Sequence, residues 1–481
     1  MKRTTFFTVI LTVGLAVVLF AENNCYTVLA GRGATEDGSV MMAHNEDNGI
    51  QYVARMKRVE RVVHPEGSTR LLDGGGSIPE ADTSWAYWIL EMPGLDFSHA
   101  LVNEKSVAVA SDNCPSREDR PELVQGGIGR ELRILVAERA RSAREGARLT
   151  GELVSRFGYN QSGRTLIIAD CREGWLVALV NGRRWVAARV PDNQVSAIAN
   201  SYNIRRVDLV DTLNFMGSPD IVEYAVSRGW SEPARESEFD FALAYARQDL
   251  LDDPTQTRRQ WSGLEHVAPG RVQPPEPGRP LPFAVEPSRK LSPPDLFRVL
   301  RDHYEGTPFA APDKAPHDTQ YGAGRPVCAF STNSGSVFQL RGDLPTEIGV
   351  VWWLSLWRPC ASPFVPLYPW AGEVPSELSF PVGPEAFRNA SAAVQPGNDK
   401  ALRMLRDLSL HVDLDYRVRI GPVRAWWESF EMRRLTLQQN VESRVLKLYP
   451  LERETALDLL DTFSRGSLTR AMQQARYFTE K

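Results

Sequence analysis

The order of hydrophobic and polar positions near the start of the chain predicts β-structure. Residues 26–30 and 40–45 are strand-like, and the Gly-, Asp- and Thr-rich segment 31–39 between them predicts a hairpin turn. Residues 165–169, 175–179 and 185–188 follow one another closely and predict a three-stranded meander. Further strands are predicted at residues 52–63, 87–90, 100–103, 107–110, 327–340 and 349–357.

Helical periodicity marks two other parts of the chain. Residues 126–157 are predicted to be helical, because one side of that segment carries apolar residues at helical spacing. The apolar positions are Leu132, Leu135 and Val136, and Arg139 continues the same side. The Pro-rich segment 269–294 predicts a surface connection, with a helix over 293–302 capped by Ser292. Residues 384–481 are predicted to be mostly helical, so the fold class is α+β, with central strands flanked by helices on both sides.

The first residues have the layout of a secretory signal peptide. A basic start, Met1–Arg3, precedes an apolar run of 16 residues, Phe6–Ala21, which Glu22–Asn24 then end. A membrane span needs about 20 apolar residues, although an uncleaved anchor is the alternative. We therefore expect a signal peptide at 1–21, a short propeptide at 22–24, export to the periplasm or the extracellular space, and no stable membrane insertion after cleavage.

Charge argues against a nucleic-acid partner. The chain has 56 Lys and Arg against 60 Asp and Glu, a net charge of −4. Nucleic-acid-binding domains usually carry a clear basic excess. At 42% hydrophobic and 24% charged residues, the composition is that of an ordinary globular protein.

Five cysteines leave one over in any pairing. The later four could form up to two disulfides in an exported protein, and they are Cys114, Cys171, Cys328 and Cys360. The odd cysteine is then Cys25, just beyond the signal segment. A lipid anchor at Cys25 is disfavoured, because a lipoprotein signal has small residues before the cysteine and this chain has Glu22–Asn24.

Cys25 is the candidate nucleophile, with a buried structural cysteine as the alternative. A free thiol has a pKa of about 8.5 and needs a base at neutral pH. The chain has seven histidines, and none lies in a metal-ligand pattern such as HExxH or clustered Cys/His, so no metal or organic cofactor is predicted. If the chain is cut before Cys25, its own α-amine, with a pKa of about 7.7–8.0, can act as the base.

Three further residues are candidates for the site. The hairpin returns the chain to the level of Cys25, so the carboxylate of Asp47 can lie beside it and bind the α-ammonium or orient the thiol. Asn113 and Asn200, with Asn103 as an alternative, flank predicted strands and can donate to the oxyanion of acyl transfer, although asparagine is also a common turn residue.

Several motifs taken together resemble the peptidase C69 family of dipeptidases, which includes the bacterial dipeptidase A group and the secernin-like proteins. The opening signature is residues 25–31, 34–39 and 44–47. Weaker matches are residues 102–105, 303–307, 332–340, 351–353, 359–360 and 364–368. The resemblance covers most of residues 25–375.

This resemblance implies the fold and the roles of the candidates. The family is similar to penicillin V acylases and bile-salt hydrolases, which are N-terminal-nucleophile hydrolases with a four-layer αββα sandwich. It implies a hydrolase domain at 25–375 and a helical region at 376–481 packed on the same domain. Cys25 would be the nucleophile and, through its freed amine, the base; Asp47 would position both, and Asn113 and Asn200 would form the oxyanion and substrate shell.

Two departures bear on the substrate. The acylases carry an arginine where this chain has His44, and a later arginine of those enzymes has no assigned match, with Arg205 and Arg341 as nearby candidates. The favoured hypothesis is hydrolysis of short peptides, chiefly dipeptides, through a thioester. The alternatives are an acylase acting on a non-peptide amide, an exported binding protein without the chemistry, and a papain-like Cys–His peptidase. A homo-oligomer is left open.

Overall fold

Two antiparallel β-sheets lie at the centre of the molecule. The computed structural model describes residues 25–48, 53–92, 97–124, 126–232, 238–311, 315–318, 324–379 and 400–481. The predicted signal peptide and propeptide, at 1–24, lie outside the described residues. The strands are β1 (Tyr26–Ala30), β2 (Val40–Asp47), β3 (Arg55–Val59), β4 (Val62–Val63), β5 (Thr69–Leu71), β6 (Ser77–Pro79), β7 (Thr83–Ser84), β8 (Tyr87–Met92), β9 (Phe97–Asn103), β10 (Ala108–Asn113), β11 (Tyr159–Ala169), β12 (Gly174–Gly182), β13 (Trp185–Arg189), β14 (Val195–Ile198), β15 (Phe215–Gly217), β16 (Thr332–Leu340), β17 (Val350–Leu356) and β18 (Val365–Leu367).

The helices lie between and after these strands. They are α1 (Leu132–Arg139), α2 (Ala143–Phe157), α3 (Ile221–Ser227), α4 (Phe241–Tyr245), α5 (Gln248–Leu251), α6 (Pro254–Val267), α7 (Pro293–Leu300), α8 (Thr346–Gly349), α9 (Ala401–Asp413), α10 (Tyr416–Leu448) and α11 (Arg453–Thr479). None of the described helices is both long enough and apolar enough to cross a membrane.

The sheets and helices stack in four layers. The six-stranded sheet has the order β14-β1-β2-β16-β17-β18, and the eight-stranded sheet has the order β15-β13-β12-β11-β10-β9-β8-β3. One apolar core fills the space between the sheets. A second joins the eight-stranded sheet to α1 and α2, and a third joins the six-stranded sheet to α6, α7 and parts of α10 and α11. This confirms the predicted αββα sandwich, and its helical C-terminal region is present.

In the first hairpin, the alternation of side chains along each strand decides which residues face the second sheet and which face the outer helices. Strands β1 and β2 pair with Thr27 opposite His44 and Leu29 opposite Met42. Leu29 and Met42 pack between the sheets, whereas their neighbour Val28 packs against the helices outside. Successive side chains of a strand point to opposite faces, so Thr27 and His44 face the inter-sheet space.

One expectation from the sequence was wrong in detail, and the question of disulfides, which the sequence left open, has an answer. The predicted helix over 126–157 is two helices, because the backbone of Ala140 and Ser142 is extended and the side chain of Ser142 caps α2 by accepting from the N–H of Glu145. No disulfide joins the later cysteines: all five cysteines are free thiols. The cap and the helix at 293–300 are as predicted, since Ser292 and Asp295 form a capping box.

Candidate active site

Cys25 lies immediately before β1 and is fully buried. Its Sγ–H donates to Oε1 of Glu46 at 3.0 Å. Nδ2 of Asn48 donates to the same carboxylate oxygen at 2.7 Å. The register of the hairpin places Glu46 opposite Cys25, one residue beyond the Tyr26–Asn45 pair. A buried thiol and a buried carboxylate are therefore held together by strand pairing.

A chain of hydrogen bonds runs from this pair towards the second sheet. Oε2 of Glu46 lies 3.2 Å from Nε2 of His44, and Nδ1 of His44 lies 2.8 Å from Oγ1 of Thr27. The Thr27 hydroxyl donates to Oδ2 of Asp112, on β10, at 2.5 Å. Because the hydroxyl proton is committed to Asp112, Oγ1 accepts from Nδ1–H of His44. Every side chain of this series is buried.

Burial and charge together set the protonation of the series. Burial raises the pKa of the Cys25 thiol, and the carboxylates of Glu46, Asp112 and Asp47 raise it further. Burial disfavours the charged form of His44, but the hydrogen bond with Glu46 and the nearby carboxylates outweigh it and raise the His44 pKa. Burial raises the pKa of Asp112 to about 6. The thiol is therefore neutral and needs a base.

Arg259 connects Cys25 to the two asparagines. This arginine is carried by α6, whose first turn is capped by Asp253 and begins with Pro254. Nη1 of Arg259 donates to the carbonyl oxygen of Cys25 at 3.2 Å, and Nη2 donates to Oδ1 of Asn200 at 2.9 Å. Arg259 thus lies next to the candidate nucleophile, although the sequence did not single it out.

The two arginines that the sequence did suggest lie elsewhere. Arg205 pairs with Asp240, and Arg341 pairs with Glu442 of α10. Neither has a described hydrogen bond to Cys25 or its neighbours. Of the three arginines, Arg259 is the one with a described hydrogen bond to Cys25.

Close packing holds α6 against β1. A Cβ at Gly263 would lie 1.9 Å from the hydroxyl oxygen of Tyr26. Only a residue without a side chain allows this approach. The contact fixes the distance between α6 and β1. It thereby fixes the position of Arg259, which lies one turn before Gly263 on the same helix.

Asn200 and Asn113, both candidates from the sequence, lie next to each other. Asn200 is buried in the turn after β14 and has a left-handed backbone, with φ of 57°. Its Nδ2 donates to the main-chain oxygen of Asn113 at 3.0 Å. Asn113 ends β10 and is half-buried, and its Oδ1 accepts from the hydroxyl of Ser162 at 3.4 Å. Hydrogen bonds therefore run in series from Cys25 through Arg259 and Asn200 to Asn113.

Asp47 lies on the other face of β2. Its carboxylate accepts from Nη2 of Arg325 at 2.8 Å and from the hydroxyl of Thr332 at 2.5 Å. Burial raises the pKa of Asp47 more than these partners lower it. The Asp47 carboxylate still lies near enough to Cys25 to raise the thiol pKa, and the main-chain N–H of Asp47, which hydrogen-bonds to the sulfur, lowers it. The side-chain hydrogen bond of the thiol goes to Glu46.

Two buried guanidinium groups complete the charge balance around Glu46. Arg133 of α1 and Arg164 of β11 both donate to the hydroxyl of Ser111, at 2.7 and 3.1 Å. Burial and the charge of Arg164 lower the pKa of Arg133 to about 10, and Glu46 and Cys25 partly oppose this shift. These cations offset the carboxylates and can stabilise negative charge that develops near Cys25.

A cleft of about 460 Å³ is linked to Asp47 through Tyr304 and Arg325. Tyr304 lines this cleft, and its hydroxyl donates to the main-chain oxygen of Arg325 at 2.7 Å. Since Arg325 binds Asp47, one residue separates the cleft wall from that carboxylate.

The same residues include possible metal ligands. One ligand atom each from Cys25, His44 and Glu46 lies within 4.8 Å of the others. In the described structure these atoms form the hydrogen-bond series above, which already accounts for their approach.

Comparison with known proteins identifies the family. The sequence model of peptidase family C69 matches residues 24–386, so the match begins one residue before Cys25. The chain belongs to peptidase family C69. It is therefore a peptide-bond hydrolase.

Individual relatives agree with this family. The chain is 29% identical over 357 residues to a probable dipeptidase of Salmonella dublin, covering 72% of this chain and 80% of that protein. It is 26% identical over 401 residues to a dipeptidase of Bifidobacterium longum, covering 74% and 72%. Among solved structures, it is similar to penicillin V acylase from Agrobacterium tumefaciens with a TM-score of 0.36 and 13% identity, covering 72% of this chain and 86% of that one.

Proposed function

We propose that this chain is a dipeptidase in which Cys25 attacks the peptide carbonyl and forms a thioester. The observation that carries the proposal is the thiol of Cys25, buried before β1 and bonded to Glu46, at the point where the family match begins. The names of the relatives supply the substrate class, since they are called dipeptidases.

The reaction needs a free α-amine at Cys25. In the uncut chain the nitrogen of Cys25 is part of a peptide bond, and cleavage before Cys25 converts it to an amine with a pKa of about 7.7–8.0. We infer that residues 1–21 direct export and are removed, and that residues 22–24 are removed afterwards. The buried thiol, with its raised pKa, then has a base within its own residue.

The chemical steps balance as follows. The α-amine takes the thiol proton while Sγ attacks the substrate carbonyl carbon, which forms a tetrahedral oxyanion. The carbon–nitrogen bond breaks as the ammonium returns that proton to the leaving amine, which departs as the first product. Water then attacks the thioester with the α-amine as base, so the acid is released and the thiol is restored.

The surrounding residues take supporting roles in this proposal. Asp47 binds the α-ammonium, and Glu46 orients the thiol through its present hydrogen bond. Asn113 and Asn200 donate to the oxyanion. Arg259 positions Asn200 and the main chain of Cys25.

The first experiment determines the N-terminus of the exported protein by intact mass and terminal sequencing. Wild type is expected to begin at Cys25 and to hydrolyse dipeptides. Cys25→Ala should lose the activity, whereas Cys171→Ala, at a half-buried cysteine outside the site, should keep it. Retention of residues 22–24 by Cys25→Ala would show that the cleavage is autocatalytic.

Two outcomes would contradict the proposal. Active wild type that begins at Met1 or Glu22 has no free amine at Cys25, so the mechanism cannot operate. Faster cleavage of non-peptide acyl amides than of dipeptides, measured on one substrate panel, would replace the dipeptidase with an acylase.

A further inference from the structure

Two histidines and two cysteines that are far apart in sequence meet in one buried cluster. They are His303, His317, Cys328 and Cys360. One ligand atom from each residue lies within 4.8 Å of the others, and all four side chains are buried. His303 follows α7, and Cys360 follows β17, so the cluster joins segments from different parts of the fold.

Both imidazole rings present Nε2 to this cluster. Nδ1 of His317 lies 2.7 Å from Oδ1 of Asp413, a distance that requires a proton between them. Nδ1 of His303 lies 3.2 Å from both Oε1 of Glu305 and the hydroxyl of Tyr416. With its Nδ1 so engaged, each ring has Nε2 available as a ligand atom.

The Nε2 atoms point at the sulfurs. Nε2 of His317 lies 3.6 Å from Sγ of Cys360. Zinc–sulfur and zinc–nitrogen bonds of about 2.3 and 2.0–2.1 Å at a tetrahedral angle place sulfur and nitrogen about 3.6 Å apart. Nε2 of His303 is buried and makes no hydrogen bond of good geometry among the described residues, although the ring lies within reach of the Cys360 sulfur. A buried imidazole nitrogen without a partner is costly, and a metal ion would satisfy it.

We propose that these four residues bind one zinc ion in a closed, structural Cys2His2 site. Binding releases the two thiol protons and forms two zinc–sulfur and two zinc–nitrogen bonds, so two thiolates neutralise the ion. Thiolate and imidazole ligands in a tetrahedral set favour zinc, whereas calcium and magnesium require oxygen ligands. Four protein ligands leave no open position, so the ion has no place for substrate or water.

The surrounding contacts match those of known zinc sites. A zinc-bound histidine usually donates its other N–H to a carboxylate, which fixes the ring and strengthens the bond. Glu305 and Asp413 occupy these positions for His303 and His317. Asp413 ends α9, so the cluster also ties the C-terminal helices to the sandwich.

The position of the cluster gives it a role in the fold. Arg325, which donates to Asp47, lies three residues before Cys328. A zinc ion bound to His303, His317 and Cys328 would fix both ends of the chain segment that carries Arg325. The ion would thereby support the carboxylate near Cys25 without taking part in the reaction.

The experiment measures the metal content of the full chain, purified without chelators from zinc-supplemented culture, by inductively coupled plasma mass spectrometry. Wild type should hold about one zinc ion per chain. The double variant Cys328→Ser/Cys360→Ser should hold almost none, whereas Cys171→Ser should match wild type. Cys25→Ala should also keep the ion, which separates this site from the Cys25, His44 and Glu46 group.

Further measurements cover the case in which the double variant does not fold. Wild type loaded with Co²⁺ should show the visible absorption of a tetrahedral ion and a thiolate charge-transfer band. Glu305→Gln should weaken zinc binding about 10- to 100-fold in a competition with a coloured chelator. Removal of zinc should lower the melting temperature.

Any of three results would overturn the proposal. Wild type could contain no zinc and give no Co²⁺ spectrum, or it could keep its zinc in the double variant. Non-reducing peptide mapping could instead find Cys328 and Cys360 joined by a disulfide. All of these readouts are independent of dipeptidase activity, so a failure here leaves the proposed reaction untouched.

Discussion

Replacement of Asp112 by asparagine tests the electrostatics of the buried polar series. Asp112 is fully buried, and its carboxylate accepts a single described hydrogen bond, from Thr27, while Oδ1 has no partner in the described part of the chain. Asparagine keeps the shape and an oxygen for Thr27 but cannot ionise. Comparison of the two proteins therefore isolates the free energy of ionising this carboxyl inside the fold.

The expected size follows from the pKa of Asp112. Its pKa rises from the usual 3.8 to about 6, chiefly because of burial. Two pKa units correspond to about 3 kcal/mol. Well below pH 3.8 the carboxyl is protonated in both states, so its ionisation does not change the free energy of unfolding. Between pH 3.8 and 6 the folded state binds more protons than the unfolded state, so stability falls as pH rises. Above pH 6 the full destabilisation is present.

Urea unfolding at a series of pH values from 4 to 8 provides the assay. The stability of Asp112→Asn relative to wild type should rise by about 2.4 kcal/mol between pH 4 and pH 7. Asp73→Asn, at an exposed aspartate, makes the same change in net charge and controls for it. A difference between Asp112→Asn and wild type that does not change with pH would refute the reasoning, because the carboxyl would then ionise equally well in both states.

Two further predictions concern catalysis. Glu46→Gln removes one of the charges that raise the thiol pKa, so the pH profile for alkylation of Cys25 should shift to lower pH. The value of kcat should fall, because the neutral amide oxygen of glutamine is a weaker acceptor for the thiol than a carboxylate; a profile that does not move would contradict the assigned contact. Arg259→Lys keeps the charge but cannot hydrogen-bond to both Cys25 and Asn200. The ratio kcat/KM should therefore fall about 10- to 100-fold, equivalent to about 1.4–2.8 kcal/mol. Kinetics that match wild type would exclude a positioning role for Arg259.

The elements of the fold were largely predictable, because they depend on local alternation. Strands β1 and β2 and the meander of β11, β12 and β13 stand where apolar residues alternate or cluster. The helix over 126–157 was predicted as one because its apolar spacing continues past Ser142, and the cap that starts α2 was not recognised. The proximity of Asn113 and Asn200 was anticipated only through the family resemblance.

The contacts of Cys25 were only partly predictable. The hairpin brings two carboxylates to the level of the thiol, and strand alternation decides which one faces it. In the register that pairs Thr27 with His44, the residue opposite Cys25 is Glu46, and Asp47 points to the other face. The length of the hairpin alone does not distinguish the two carboxylates, so the sequence pointed to Asp47 and not to Glu46.

Other parts of the site depend on contacts between distant residues, which no local pattern shows. Arg259 reaches Cys25 from a helix more than 200 residues later in the chain. The four residues of the Cys/His cluster span positions 303 to 360 with no recognisable ligand spacing. Both sets of contacts require the six-stranded sheet and its outer helices to be packed together.

Two buried ion pairs join the C-terminal helix α10 to the sandwich. Arg301, just after α7, donates to Glu431 of α10 at 2.9 Å, and Arg341, just after β16, pairs with Glu442 of the same helix at 2.6 Å. Loss of one partner from a buried pair costs about 3–5 kcal/mol, because the other charge stays buried without compensation. The family match ends at residue 386, yet the carboxylates that neutralise these arginines lie beyond it. We therefore infer that residues 400–481 fold together with the sandwich, and that a chain truncated at the end of the matched region would not keep the site intact.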